Sequence, residues 1–155
     1  MNIPQDLQPG DILGYAPTDW LGNIEEVKYG DWDNPVAHIE LYSGNGMSWA
    51  SRETGINLYP FRAENLCLVK RPGKPFNVAK ATKFFAGLIG LPYGMGDNTA
   101  DAFGLADGKP GMNCSHTAAV LLESGDADVF DVRFPKNEIC PRDFKLTPGA
   151  VTLLP

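Results

Sequence analysis

The chain has 155 residues, of which 43% are hydrophobic, and its 13 basic and 19 acidic side chains give a net charge of −6. These values predict one globular domain over residues 1–155. The acidic balance, without a basic run, argues against a nucleic-acid-binding protein. No apolar stretch approaches the ~18 residues of a membrane span, and no basic-then-apolar leader is visible. We therefore expect a protein that is cytoplasmic as synthesised, or one that is delivered by another route.

The first half of the chain has the pattern of short antiparallel strands. Apolar or alternating runs predict strands over residues 11–15, 36–42, 47–51, 56–59 and 65–71. Ser43-Gly-Asn-Gly46 is a strong hairpin signal between the second and third of these strands. Residues 16–35 show no sustained period, and the pattern predicts a loop whose Trp20 and Trp32 line a cleft or anchor the loop on the core.

The second half changes to helical spacing. Apolar residues spaced three and four apart predict a helix that Asn77 caps and Gly90 ends. A loop over residues 94–112 precedes a second helix, which Asn113 caps and Gly125 ends. Short strands are predicted over residues 129–134 and 151–154. Strands followed by helices predict an α+β domain, a small antiparallel sheet or barrel packed on two main helices.

Cys114 falls in the first turn of the second predicted helix. Unpaired backbone N–H groups and the positive end of the helix dipole favour a thiolate at that position. Cys67 and Cys140 have neither a predicted helix start nor charged surroundings, so both are predicted to be structural. Three widely spaced cysteines do not suggest a disulfide framework.

A thiolate nucleophile needs a base, and the chain has only two histidines. His116 follows Cys114 by two residues, and side chains at that spacing diverge by about 200° on a helix. His38 lies on a predicted strand, so only tertiary folding could bring it to Cys114. A lone strand histidine is as a rule a core or interface residue, and this interpretation of His38 stays open at this point.

Two blocks of the sequence resemble the NlpC/P60 superfamily. Gly90-Leu-Pro-Tyr-Gly-Met-Gly96, followed by Asn113-Cys-Ser115 and a helix, resembles its nucleophile region, G-x-P-Y-x-x-G … D-C-S. His38-Ile-Glu-Leu-Tyr-Ser-Gly-Asn-Gly46 resembles its H-V-G-I-Y-x-G-N-G strand and hairpin. The histidine block comes first here, as in the circularly permuted, YiiX-like branch. With their connecting elements, the matches cover about residues 11–125.

The resemblance implies a papain-like, permuted fold and assigns roles to four residues. Cys114 would be the nucleophile and His38 the base. Tyr93 and Ser115 would contribute to substrate or oxyanion binding, together with backbone N–H groups at the start of the helix.

The chain departs from the superfamily at the residue that orients the histidine. The superfamily places a polar residue on the strand after the hairpin, and the nearest matches here are Trp49 and Ala50. Neither side chain can hold an imidazole through a carboxylate or an amide.

Three other side chains are considered for this third position. Ser48 faces His38 if the hairpin is regular, and it is the residue that we predict. Glu40 shares the face of His38 but is expected to point along its own strand, and Glu53 would need an altered register.

Metal binding is not predicted, nor is any cofactor. Cys114-x-His116 offers too few ligands for a zinc site. Asp97, Asp101 and Asp107 miss the alternating ligand pattern of a calcium loop, so a solvated acidic loop is the preferred interpretation.

The predicted function is that of a cysteine peptidase or amidase, acting on a peptide or acyl substrate through Cys114 and His38. The superfamily's usual substrates favour peptidoglycan-type peptides, and a phage-associated or otherwise delivered enzyme is consistent with the lack of wall-binding repeats. An acyltransferase or lipid/thioester hydrolase of the same fold is one alternative, with an apolar groove built from Trp20, Trp32 and Trp49. A non-catalytic binding or structural module is the other, favoured by the missing orienting residue.

Overall fold

The computed structural model describes residues 4–18, 35–94, 112–130 and 139–154. Within these ranges the chain forms six strands and three helices. The strands are β1 (Ile12–Tyr15), β2 (His38–Gly44), β3 (Met47–Arg52), β4 (Gly55–Pro60), β5 (Leu66–Pro72) and β6 (Ala150–Leu154). The helices are α1 (Val78–Ala86), α2 (Cys114–Ser124) and α3 (Pro141–Leu146). The predicted α+β class is confirmed.

The six strands form one antiparallel sheet with the order β4-β3-β2-β1-β5-β6. In the described ranges it is an open sheet, with β4 and β6 at its edges. The predicted hairpin joins β2 to β3 and turns at Asn45 and Gly46, whose φ angles are 53° and 70°. Asparagine and glycine tolerate this left-handed backbone best, so the two residues fix the turn and thereby the register of the hairpin.

Both faces of the sheet are covered. One face carries Ile39 and Leu41 and contributes to the main core with α1, α2 and α3. The other carries a smaller cluster around Leu13 and Tyr15. Glu40 lies opposite Leu13 across the β1–β2 pair, and successive residues of a strand point to opposite faces. His38 and Glu40 therefore belong to the face with the smaller cluster.

The first predicted helix begins where expected but ends earlier. The Asn77 side chain accepts a hydrogen bond from the Lys80 backbone N–H at 3.1 Å, which confirms the predicted cap. The helix ends at Gly87 and not at Gly90. The Gly90 N–H instead donates to the carbonyl of Ile56 at 3.0 Å, so this segment bonds to the edge strand β4 rather than extending the helix.

Helix α3 is not among the predicted elements, because six residues that begin with a proline leave little periodic signal. Cys140 caps it, and the Cys140 N–H donates to the Asp143 carboxylate at 2.9 Å. At the other end, the buried Lys70 ammonium donates to the carbonyls of Lys145 at 2.9 Å and Thr147 at 3.1 Å. These contacts bind the end of α3 to the sheet, and burial lowers the pKa of Lys70.

Of the remaining predicted elements, one is confirmed and the others are wrong in part or lie outside the described residues. The strand predicted at 151–154 is confirmed as β6. Val129 and Phe130 lie in no strand, and the rest of the predicted strand 129–134 falls outside the described residues. Trp20, Trp32 and nearly all of the predicted loop 94–112 also lie outside them. Among the described helices, none has the length and apolar character needed to cross a bilayer.

Candidate active site

Cys114 is the first residue of α2, and hydrogen bonds fix the chain around it. The Asn113 side chain accepts the His116 backbone N–H at 2.8 Å, which confirms the predicted cap. The Ser51 hydroxyl donates to the Met112 carbonyl at 2.6 Å and so joins this segment to β3. The backbone N–H groups of the first turn and the positive end of the helix dipole therefore lie beside the sulfur of Cys114, a residue that is 2% exposed.

Tyr93 approaches the same sulfur from the segment that follows α1. Its hydroxyl lies 4.0 Å from the Cys114 sulfur. A bridge between Tyr93 and Met112 holds the segment against the residues that precede α2. Further back, a Cβ at Gly55 would lie 2.8 Å from the Leu91 carbonyl oxygen, and the φ of Gly55 is +104°. Glycine at this position lets the segment approach β4 closely.

Ser115 also lies beside the nucleophile position. Its hydroxyl oxygen is 3.8 Å from the Cys114 sulfur, and the residue is 1% exposed. A side chain buried to this degree can support the sulfur from within the protein, whereas the Tyr93 hydroxyl is better placed to meet a substrate.

His38 joins the site from the beginning of β2. The Cys114 sulfur and the His38 imidazole interact through a hydrogen bond and through charge. Burial lowers the pKa of His38, but the Cys114 thiolate and the hydrogen-bonded Glu40 carboxylate outweigh burial and raise it to about 9. The attraction is mutual, so the imidazolium also favours the thiolate form of Cys114.

Glu40 holds the far side of the imidazole. Nε2 of His38 lies 3.0 Å from Oε1 of Glu40, which leaves Nδ1 as the ring nitrogen for Cys114. The carboxylate is fully buried. Burial raises the pKa of Glu40, but hydrogen bonds from His38 and Arg52 lower it to about 2. Glu40 is therefore ionised whenever the cysteine and histidine could react.

Two arginines compensate the buried charge of Glu40. Nε and Nη2 of Arg52 donate to its two oxygens at 2.8 Å and 3.0 Å, and Nη2 of Arg62 donates to Oε1 at 3.2 Å. The Tyr15 ring contacts both His38 and Arg62: its centroid lies 5.9 Å from that of the His38 ring and 5.0 Å from Cζ of Arg62. A buried carboxylate with this many charge-assisted bonds is geometrically fixed.

The expectation that Ser48 orients the histidine is corrected by the hairpin register. Ser48 lies opposite Tyr42, four residues along β2 from His38, which is on the order of 13 Å of strand. Continued from the Leu41–Trp49 pair toward the start of β2, the same register brings Arg52 opposite His38. The Ser48 hydroxyl is buried and has no hydrogen-bond partner among the residues that the structure describes. The structure thus brings Cys114, His38 and Glu40 together and leaves Ser48 apart.

Glu40 was expected to point away along its own strand, and this expectation is also wrong. Residues i and i+2 of a strand lie on one face about 6.6 Å apart, a gap that a histidine and a glutamate can bridge. The signal that identifies Glu40 is the Asn45-Gly46 turn, since it fixes a register in which His38, Glu40 and Arg52 share a face. Sequence reasoning did not find the two arginines.

Two further predictions from the sequence concern the apolar groove with Trp49 and the acidic loop. Trp49 is 4% exposed and packs against Phe76 and Phe85, so it belongs to the core. The acidic loop with Asp97 and Asp101 lies outside the described residues. Among the residues that are described, no group of three or more side chains could hold a metal ion.

Comparison with known proteins gives no further guidance, because no family model matches the chain and no curated protein is found to be similar to it. The interpretation of the site therefore depends on its geometry.

Proposed function

We propose that this protein is a cysteine hydrolase that cleaves an amide bond. Cys114 is the nucleophile, His38 the general acid and base, and Glu40 the residue that orients His38. The observation that carries the proposal is the continuous series from the Cys114 sulfur through the imidazole to a buried, ionised carboxylate. Such a series supplies the nucleophile, the base and the orienting group that covalent hydrolysis needs.

In the first half of the reaction, the Cys114 thiolate attacks the carbonyl carbon of the substrate. A carbon–sulfur bond forms and negative charge develops on the carbonyl oxygen. First-turn N–H groups of α2, and the Tyr93 hydroxyl 4.0 Å from the Cys114 sulfur, are proposed to donate to that oxygen. The carbon–nitrogen bond then breaks as the His38 imidazolium gives its proton to the leaving amine.

In the second half, His38 acts as a base. The neutral imidazole removes a proton from water, and the hydroxide attacks the thioester carbonyl. The carbon–sulfur bond breaks, the carboxylic acid leaves, and Cys114 returns to the thiolate beside the imidazolium. Glu40 keeps the ring in one orientation in both steps and stabilises its charged form.

We further propose that the fold is the permuted, papain-like arrangement of the NlpC/P60 superfamily. The antiparallel sheet, the histidine on a strand before an Asn-Gly hairpin, and the cysteine at a later helix start support this proposal. Peptidoglycan-type peptides are accordingly the first substrates to test. Acyl transfer has less support, since Trp49 lies in the core, and Glu40 removes the argument for a module without catalytic activity.

The proposal is tested by the rate at which iodoacetamide alkylates Cys114 as a function of pH. A free thiol with a pKa near 8.5 is roughly 0.3% ionised at about pH 6. We expect Cys114 to react about 10- to 100-fold faster than such a thiol, after allowance for the lower nucleophilicity of a stabilised thiolate. His38→Ala should remove this advantage.

The other two cysteines serve as internal controls, read by mass spectrometry of the same digest. The Cys67 thiol donates to the carbonyls of Gly14 and Pro35 at 3.5 Å, and a thiol that donates to carbonyls keeps its proton and is a poor nucleophile, so it should stay unmodified in the folded protein. If Cys114 reacts as slowly as an ordinary thiol and ignores His38→Ala, the proposed function is wrong.

A further inference from the structure

Arg62 differs from Arg52 in how many of its guanidinium N–H groups have an acceptor. Arg52 is 19% exposed, and it donates to both oxygens of Glu40 and also to the carbonyl of Pro60. The Arg62 side chain is 44% exposed and makes one hydrogen bond, from Nη2 to Glu40. Among the described residues, the remaining N–H groups of Arg62 have no acceptor. Arg52 thus uses three of its five guanidinium N–H groups, whereas the more exposed Arg62 uses one.

The position of Arg62 is fixed beside the His38–Glu40 pair. Its Nη2 and Nε2 of His38 contact the same oxygen of Glu40, so these two nitrogens lie within roughly 6 Å of each other. The Arg62 guanidinium packs on the Tyr15 ring, and the Tyr15 hydroxyl donates to the Arg62 carbonyl at 3.3 Å. A guanidinium held in this way loses little conformational freedom when it binds a ligand.

The charges of this cluster do not cancel. The single negative charge of Glu40 faces two guanidinium groups, while the Cys114 thiolate and the His38 imidazolium neutralise each other. One positive charge therefore remains beside the site, in a chain whose net charge is −6. A half-exposed guanidinium with unused donors is suited to bind a carboxylate.

We propose that Arg62 binds a carboxylate of the substrate, so that the enzyme acts on amides with a free carboxylate within one or two residues of the scissile bond. This inference rests on the proposed function, since it needs a substrate acyl group on Cys114. It adds to that function a preference for substrates that carry a negative charge near the scissile bond. Arg62 contributes to binding, and the chemical steps at Cys114 and His38 do not pass through it.

Two alkylating reagents that differ mainly in charge provide the test. Iodoacetate carries a carboxylate, and iodoacetamide is its neutral counterpart. The measured quantity is the ratio of their rates at Cys114, divided by the same ratio for N-acetylcysteine. This normalisation removes the intrinsic difference between the reagents. We expect the parent protein to favour iodoacetate relative to N-acetylcysteine.

The informative variant is Arg62→Gln, which we expect to lower the normalised ratio by about 3- to 10-fold. Its rate with iodoacetamide should fall less than its rate with iodoacetate, because Arg52 still donates to both oxygens of Glu40. Arg62→Lys should keep an intermediate ratio, since it retains the charge without the planar fork. Lys83→Gln is the matched control for net charge: this exposed residue of α1 makes none of the contacts of Glu40, so the ratio should not change.

The outcomes separate this inference from the proposed function. An Arg62→Gln ratio equal to that of the parent overturns the carboxylate site, and so does an equal fall of both rates, which would mean that Arg62 serves only to support Glu40. Slow iodoacetamide alkylation of the parent that ignores His38→Ala overturns the proposed function instead. A selective loss of the iodoacetate rate, with Lys83→Gln unchanged, supports the carboxylate site.

Discussion

Cys114 and Cys140 both stand at the start of a helix, yet their surroundings are opposite. Cys114 begins α2 and lies beside His38, whose charged form favours a thiolate. Cys140 caps α3 and lies beside Asp143. Burial, together with the negative charge of Asp143, raises the pKa of Cys140 to about 12. One helix start is thus arranged for a thiolate and the other for a neutral thiol.

The comparison shows that a helix start does not activate a cysteine by itself. The helix dipole contributes roughly 0.3–1 kcal/mol near a terminus. A full charge about 4 Å away contributes around 4 kcal/mol at an effective dielectric constant near 20. The sign of the neighbouring side chain therefore decides the state of the sulfur. Cys140 was predicted to lack both a helix start and charged neighbours. It has both, and it is still expected to be inert because the charge is negative.

Among the variants that test this comparison, Glu40→Gln is expected to change the reactivity of Cys114 most. The glutamine removes the charge that favours the imidazolium and leaves Arg52 and Arg62 uncompensated next to His38. The imidazolium, and with it the thiolate, then becomes unfavourable. We expect alkylation of Cys114 at about pH 6, and hydrolysis of any substrate found, to fall by about 100-fold.

The matched control for Glu40→Gln is Ser48→Ala. The Ser48 hydroxyl is buried without a partner among the described residues, so its removal costs no hydrogen bond there and should leave both the alkylation rate and the stability within error. A large loss of Cys114 reactivity in Ser48→Ala, with no change in Glu40→Gln, would return the orienting role to the serine.

The part of the site that follows local rules could be predicted from the sequence. Asn113 before an apolar run indicates a helix start, and that rule alone places Cys114. The Asn45-Gly46 turn likewise predicts the hairpin that carries His38. The meeting of Cys114 and His38 depends on how α2 packs against the sheet, and no local rule determines that packing.

The rest of the site depends on register and on side-chain reach. Glu40 was assigned to the correct face but was expected to point away from His38, because strand parity says nothing about rotamers. Arg62 comes from a loop after β4, and only the tertiary fold brings it to Glu40. Helix α3 escaped prediction because tertiary contacts, among them the Lys70 bonds to its final carbonyls, stabilise so short an element.

The next largest effect is the pH-dependent contribution of the Glu40 carboxylate to the free energy of unfolding. Its pKa is about 2 in the folded protein and near 4.5 as a free side chain. The stabilisation is therefore complete above about pH 4.5 and is lost as the pH falls toward 2. We expect Glu40→Gln to be less stable than the parent at pH 6, and this difference should shrink by about 2 kcal/mol at pH 3.

Urea unfolding at the two pH values measures this difference. The control is Glu123→Gln, an exposed residue of α2, which should shift by the same small amount at both pH values. If the difference in free energy of unfolding between the parent and Glu40→Gln is the same at both pH values, the carboxylate is not held as an ion by His38 and Arg52.

A smaller effect is expected from moving the carboxylate across the hairpin. In the superfamily proposed for this fold, the polar residue lies on the strand after the hairpin, and the β2–β3 register, continued by one residue from the Leu41–Trp49 pair, brings Ala50 opposite Glu40. Their Cβ atoms are about 5 Å apart. We expect Glu40→Ala to lower the reactivity of Cys114 at low pH about as much as Glu40→Gln does, and the double variant with Ala50→Glu to recover about tenfold. A folded double variant that stays as unreactive as Glu40→Ala would show that the carboxylate is required on β2.

The smallest effect is expected at the second helix start, with Asp143→Asn. The asparagine side chain can still accept the Cys140 N–H, so the cap of α3 is kept while the negative charge is removed. The pKa of Cys140 should fall, but burial continues to raise it, so we expect alkylation at about pH 8 to rise only about two- to fivefold. The rate at Cys114 in the same sample should not change. An unchanged Cys140 rate would mean that burial alone keeps this thiol neutral, and that the sign of the charge beside Cys140 does not set its reactivity.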